Sequence, residues 1–134
     1  QINSLIRLSK FLIKKYKIKK SNILGHSDIA PDRKKDPGEK FPWKIMSKKK
    51  IGIWHNLNSM KLKKFRRKKC NKKSSNKFTN NLLKIGYSSN NQNKISKSKY
   101  ITFLIKSFQR RYRPELINGK IDHECLLISE NLTK

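Results

Sequence analysis

Between Gly25 and Gly38 the chain reads GHSDIAPDRKKDPG, a stretch that sets one imidazole, three carboxylates and three basic side chains close together. Pro31 and Pro37 restrict its backbone freedom. A loop stiffened in this way can aim a nitrogen and an oxygen donor at one metal ion, each about 2.0–2.2 Å from a zinc. Spacing alone leaves a second reading open, because a single His beside a turn is more often an ordinary polar residue.

The neighbouring segments must hold that loop. From Gln1 to Tyr16, Ile2, Leu5, Ile6, Leu8, Phe11, Leu12, Ile13 and Tyr16 recur at spacings of one, three and four, which predicts a helix with one buried face. Ser21–His26 reads as a short strand running into the loop. Phe41-Pro42-Trp43 opens a short helix, since Pro at a first helical position gives up no needed N–H, and Ile51-Gly52-Ile53-Trp54 is another brief apolar segment. Residues 61–77 carry ten Lys or Arg and few apolar groups, which predicts a solvated basic linker and a domain boundary. Beyond it, Phe78–Ile85 closed by Gly86, Tyr100–Arg113, and a run from Ile121 to Leu132 with Asp122 as N-cap predict three short helices around one small core. A polar Ser/Asn loop is expected over 88–94.

Composition bounds the rest. The chain has 134 residues, 35 Lys or Arg against 8 Asp or Glu, and a formal net charge of +27. No apolar run approaches the roughly 18–20 residues of a membrane-spanning helix. Cys70 and Cys125 are too few, and too unlike in setting, for a disulfide framework. Acidic residues are missing between Glu39 and Glu115, which favours attraction to polyanions. Specific nucleic-acid binding is nevertheless disfavoured, because stacking aromatics are not interleaved through the basic run and the Lys/Asn bias extends along the whole chain.

The string GHSDIAP-x-RK-x-DPG-x-x-FPW, with Gly52-Ile53-Trp54 downstream, resembles the C-terminal half of the zinc-dependent N-acetylmuramoyl-L-alanine amidases of type 2, which share a fold with peptidoglycan recognition proteins. The resemblance implies an α/β architecture: residues 1–60 as the C-terminal portion of a mixed-sheet amidase domain, 61–77 as linker, and 78–134 as a three-helix peptidoglycan-binding unit. It implies His26 and Asp36 as zinc ligands and Lys34 as the cation that stabilises the oxyanion. Asp32 stands where the motif commonly has Gly, and Asp28 is a candidate to orient the loop or the His26 ring. The partial sheet would expose an edge.

In that family a further His ligand and a catalytic Glu precede the segment matched by the first helix. With Gln1 rather than Met at its start, the chain is expected to be a processed product or a piece of a longer one. His55 and His123 are the other imidazoles; His55 could approach the loop, and His123 is expected exposed on its helix. The second unit resembles an appended peptidoglycan-binding domain through Leu82-Leu83, Ile85-Gly86-Tyr87, Phe108-Gln109-Arg110-Arg111-Tyr112-Arg113-Pro114 and Asn118-Gly119 with Ile121-Asp122. Each of these also has a plain structural role: Phe108 and Tyr112 as core, Gly119 as turn, and the arginines as a solvated cationic face.

The implied activity is zinc-assisted hydrolysis of the amide between N-acetylmuramic acid and L-alanine, acting on peptidoglycan or muropeptides in the periplasm or envelope, with the cytoplasm as the alternative. The competing reading is a non-catalytic wall-binding protein with a degenerate or truncated amidase domain.

Overall fold

The computed structural model describes residues 1–88 and 95–134. Its elements in order are α1 (Ile2–Tyr16), a 3₁₀ turn (Lys20–Asn22), α2 (His26–Ile29), α3 (Trp43–Lys48), α4 (Ser59–Lys63), α5 (Lys72–Lys84), α6 (Lys97–Tyr112) and α7 (His123–Leu132). The expected mixed sheet is corrected: among the described residues there is no strand, and the only ladder pairing is an isolated antiparallel bridge between Lys69 and Asp122.

The strand expected over Ser21–His26 fails for a local reason. Asn22 N–H donates to the Lys19 carbonyl at 2.9 Å, which winds the segment into a 3₁₀ turn. Ile23 and Gly25 keep extended dihedrals. Instead of a neighbouring strand, however, the Ile23 carbonyl meets the Arg111 guanidinium, with Nη2 donating at 3.2 Å. α1 forms where its stripe predicts, but none of its residues is buried: Leu8, Phe11 and Tyr16 are 56, 59 and 61% exposed. No sheet lies against it among the described residues, so the amphipathic pattern specifies the helix without covering its face.

The three later helices form as expected and make the core. Phe78 and Leu82 of α5, Tyr100, Leu104, Ile105, Phe108 and Tyr112 of α6, and Cys125, Leu126 and Ile128 of α7 bury one another. The Phe78 and Phe108 rings meet edge to face at 5.0 Å, a favoured aromatic geometry. Gly86, at φ +100°, ends the α5 segment with the Leu24 side chain packed above it. Asp122 caps α7 by accepting from Cys125 N–H at 3.0 Å. Buried Gln109 braces the turn before it: Oε1 accepts from Asn118 N–H at 3.0 Å and Gly119 N–H at 2.9 Å, and Nε2 donates to Asn118 Oδ1 at 3.0 Å. The loop expected over 88–94 lies, apart from Ser88, outside the described residues. Both cysteines are free thiols.

The basic side chains of 61–77 are exposed apart from half-buried Arg66, but the segment is not a bare linker. Leu62 is buried in the core, α4 is capped by Asn58 and α5 by Asn71, and α5 already begins at Lys72. Arg66 forks onto Glu124 with bonds of 2.6 and 2.8 Å, and Arg67 N–H donates to Asp122 Oδ2 at 3.0 Å. Carboxylates on and before α7 thus offset the self-repulsion of the basic run. The arginines after Phe108 divide in the same way: Arg111 and Arg113 are buried rather than solvated, and Arg113 Nη1 donates to Asp122 Oδ2 at 2.8 Å.

Burial works to raise the Asp122 carboxyl, but N–H donors from Cys125 and Arg67 and the Arg113 guanidinium outweigh it and hold it below its usual value. A carboxyl lowered in the folded state stabilises the fold above its unfolded pKa of about 4, and that stability drains away as pH falls through the folded value. Asp122→Asn should cost about 3 kcal/mol at neutral pH by leaving buried Arg113 with only the more distant Glu124 carboxylate at 3.4 Å, and should remove part of the decline below a pH of about 4; denaturant melts at several pH values check both.

Candidate functional site

The loop is built from backbone bonds inward. Gly25 caps α2, and Asp28, three residues on, reaches back so that Oδ2 accepts Gly25 N–H at 2.8 Å, half of a capping box. His26 therefore stands at the first position of a single helical turn, with its side chain exposed. Ser27 N–H donates to the Asp36 carbonyl at 3.0 Å, folding the far end of the loop back onto the near end. Between them, Arg33 and Lys34 N–H groups both donate to the Ala30 carbonyl. Gly25 also has to be glycine for space: a Cβ there would lie 2.9 Å from Pro37 Cδ and 3.3 Å from the Trp43 ring.

This folding brings the two predicted ligands together. His26 Nδ1 and Asp36 Oδ2 are 3.1 Å apart, ten positions separated in sequence and both open to solvent. That separation is a hydrogen bond. It also lies close to the edge of about 3.3 Å that two donors make around a tetrahedral zinc. Imidazole nitrogen and carboxylate oxygen suit zinc in kind, but the number falls short, since a catalytic zinc takes three protein ligands. Among the described residues no group of three or more His, Cys, Asp or Glu side chains converges on one point.

Lys34 is exposed and lines, with Asp36, an open groove of about 650 Å³ whose opposite wall is Phe103, Lys106 and Arg110 of α6. The Asp32 carboxylate, which the sequence allowed to face solvent, is buried, 3.9 Å from Arg33 Nη1. Asp28 orients the loop rather than the His26 ring. It is fully buried, and Arg111 Nη1 donates to Oδ2 at 2.6 Å while Ser107 Oγ donates to Oδ1 at 3.2 Å. Sequence reasoning missed Arg111 and Ser107. The available signal was their place on α6: Arg111 falls one turn after Ser107 and beside Phe108 and Tyr112, within a stripe that the core claims.

The remaining imidazoles lie elsewhere. His123 begins α7, half-buried. His55 is buried and stacked on Trp54, ring centres 5.2 Å apart, and lines a separate cavity of about 240 Å³ with Trp43 and Tyr112. Burial, and then the nearby Lys44 ammonium, hold His55 below its usual value, with Glu124 opposing. A lowered imidazole favours the neutral form in the fold, so protonation in the unfolded chain should erode stability as pH falls below about 6.5. His55→Gln should flatten stability between about pH 7 and 5; thermal melts across that range test it.

Against known proteins, the family model described as N-acetylmuramoyl-L-alanine amidase matches residues 1–39. Over 132 residues, 98% of this chain, the sequence is 33% identical to the N-acetylmuramoyl-L-alanine amidase AmiD of Escherichia coli, of which it covers 47%. A shorter stretch of 43 residues is 49% identical to the 1,6-anhydro-N-acetylmuramyl-L-alanine amidase AmpD of Enterobacter cloacae, covering 32% of this chain and 23% of that one. The solved complex of E. coli AmiD with anhydro-N-acetylmuramic acid-L-Ala-D-gamma-Glu-L-Lys superposes with a TM-score of 0.79 at 32% identity, covering 98% of this chain and 50% of that one. AmpDh3 from Pseudomonas aeruginosa gives 0.76 at 29%, covering 98% and 51%. The chain thus spans about half the length of these longer relatives, and it is similar in sequence and fold to that half of the N-acetylmuramoyl-L-alanine amidases, with the family's own match falling on the segment that holds His26 and Asp36.

Proposed function

We propose that this chain is the C-terminal portion of a zinc-dependent N-acetylmuramoyl-L-alanine amidase that hydrolyses the amide between N-acetylmuramic acid and L-alanine in peptidoglycan or its muropeptides. The observation that carries this reading is the convergence of His26 Nδ1 and Asp36 Oδ2 at 3.1 Å, within the segment matched by the family model. His26 and Asp36 would hold the zinc together with a third ligand from outside the described residues. Bound there, zinc would activate water and polarise the amide carbonyl.

The chain's own residues supply the surroundings. Lys34, beside Asp36 in the groove, offers an ammonium to the oxygen that gains negative charge as water adds to the carbonyl carbon. The C–N bond then breaks, and the leaving amine of L-alanine takes up a proton. A donor already in position for such an oxyanion is worth roughly 3–4 kcal/mol. The three-helix unit packs against the loop and would engage the wall itself, which favours a place in the cell envelope. A second reading, a wall-binding protein without turnover, is supported by the count of two converging donors among the described residues.

Zinc analysis of the purified chain and peptide release from sacculi separate the two. Zinc retained by the form of the protein that releases peptide and lost in its Asp36→Ala variant supports the metal site; equal zinc content in both overturns it. In whichever form of the protein releases peptide, Lys34→Ala should lower kcat by about 10²–10³ while leaving bound zinc unchanged; an unchanged kcat removes Lys34 from the mechanism.

A further inference from the structure

We infer that α6, part of the helical unit, is the positioning element for the metal-ligand loop, acting through Arg111 and Ser107 on the backbone that carries His26 and Asp36. The inference rests on the reading of those two residues as ligands, and it makes the second unit a component of the site rather than a separate module.

Ser107 and Arg111 reach the loop from one face of α6. Ser107 Oγ, fully buried, directs its one proton to the Ser27 carbonyl at 2.7 Å and shares it with Asp28 Oδ1 at 3.2 Å. Ser27 is the residue after His26, and its own N–H donates to the Asp36 carbonyl at 3.0 Å. One residue thus links α6 to the backbone of both ligands. One turn further along α6, Arg111 Nη1 donates to Asp28 Oδ2 at 2.6 Å, the same oxygen that accepts Gly25 N–H at 2.8 Å before His26. Arg111 Nη2 reaches the Ile23 carbonyl at 3.2 Å, and the guanidinium lies over the Trp43 ring at 3.9 Å. Trp43 in turn fills the space beside Gly25 that a Cβ would occupy.

His26 is therefore flanked on both sides by backbone groups whose partners lead to α6. The α2 turn spans four residues, too few to hold a shape by itself. Neither Arg111 nor Ser107 touches the His26 or Asp36 side chain in these bonds, so their effect on the ligands passes through the loop.

The test compares Arg111→Met, Arg111→Lys and Ser107→Ala with Ile128→Val, a core change on α7 away from the loop, all in the 134-residue chain. Amide hydrogen exchange is followed at Gly25 and Ser27, and at Leu82 and Ile128 as core reporters. Zinc affinity is measured by competition with a chromophoric chelator on the same variants made in the form of the protein that releases peptide. Arg111→Met and Ser107→Ala should speed exchange at Gly25 and Ser27 by tenfold or more, with the core reporters moving less than threefold, and should weaken zinc by tenfold or more. Arg111→Lys should fall between parent and Arg111→Met. Ile128→Val should move the core reporters and leave Gly25, Ser27 and zinc within twofold.

Unchanged Gly25 and Ser27 exchange in Ser107→Ala overturns the inference even if Arg111→Met does not fold. Equal zinc affinity in the parent and in folded Arg111→Met or Ser107→Ala also overturns it, as does Ile128→Val disturbing the loop as strongly as Arg111→Met. If the peptide-releasing form binds no zinc while the exchange pattern holds, the metal reading fails and the control of the loop by α6 stands.

Discussion

The Asp28–Arg111 pair is the constraint on which the arrangement turns. Both side chains are almost wholly withdrawn from water, and at 2.6 Å they join the first part of the chain to the sixth helix across 83 positions. Removing two charges from solvent is costly, and such a pair survives only when its remaining hydrogen-bonding capacity is met. Asp28 meets it with Gly25 N–H and a share of the Ser107 hydroxyl proton, and Arg111 in part, with the Ile23 carbonyl and the Trp43 face, while its Nε is buried without a hydrogen-bond partner. Losing either partner would leave a bare charge inside the protein, a penalty of about 3–5 kcal/mol, against a total stability of about 5–15 kcal/mol for a typical domain.

Scarcity of acid gives each carboxylate structural weight. Among the described residues, six of the eight form ion pairs with Lys or Arg, including Asp122 with Arg113, Glu124 with Arg66 and Glu130 with Lys77. In a chain of net charge +27 these few anions decide which cations come inside. The end of α6 shows the outcome: Arg111 turns toward the Gly25–Gly38 loop, Arg113 turns toward α7, and Arg110 just before them remains on the groove.

The helices were legible because their signals are local. The stripe of α1, Pro42 ahead of α3, Gly86 after α5 and Asp122 before α7 each act within a turn or two, and each element lies where those residues put it. The loop was legible in its residue types, and its fold sets His26 Nδ1 3.1 Å from Asp36 Oδ2. What stayed hidden depends on partners far along the chain. Ser21–His26 has the composition of a strand, but a strand exists only beside another, and the Ile23 carbonyl finds a guanidinium instead. The ordered contacts within the basic run 61–77 stayed hidden because their carboxylate partners lie on and around α7, more than fifty positions away. Arg111 looked like surface for the same reason: its carboxylate comes from the other end of the sequence.

The brace that Gln109 puts on the Asn118-Gly119 turn has a chemical side as well as a mechanical one. An asparagine followed by glycine is the peptide step most prone to deamidate, because the glycine nitrogen can attack the side-chain amide and close a succinimide ring. Here the hydrogen on that nitrogen is engaged by Gln109 Oε1, while Asn118 Oδ1 is held by Gln109 Nε2 and Lys120 N–H. The two reacting groups are each tethered to a third residue, so the turn ages slowly for as long as one buried glutamine keeps them apart.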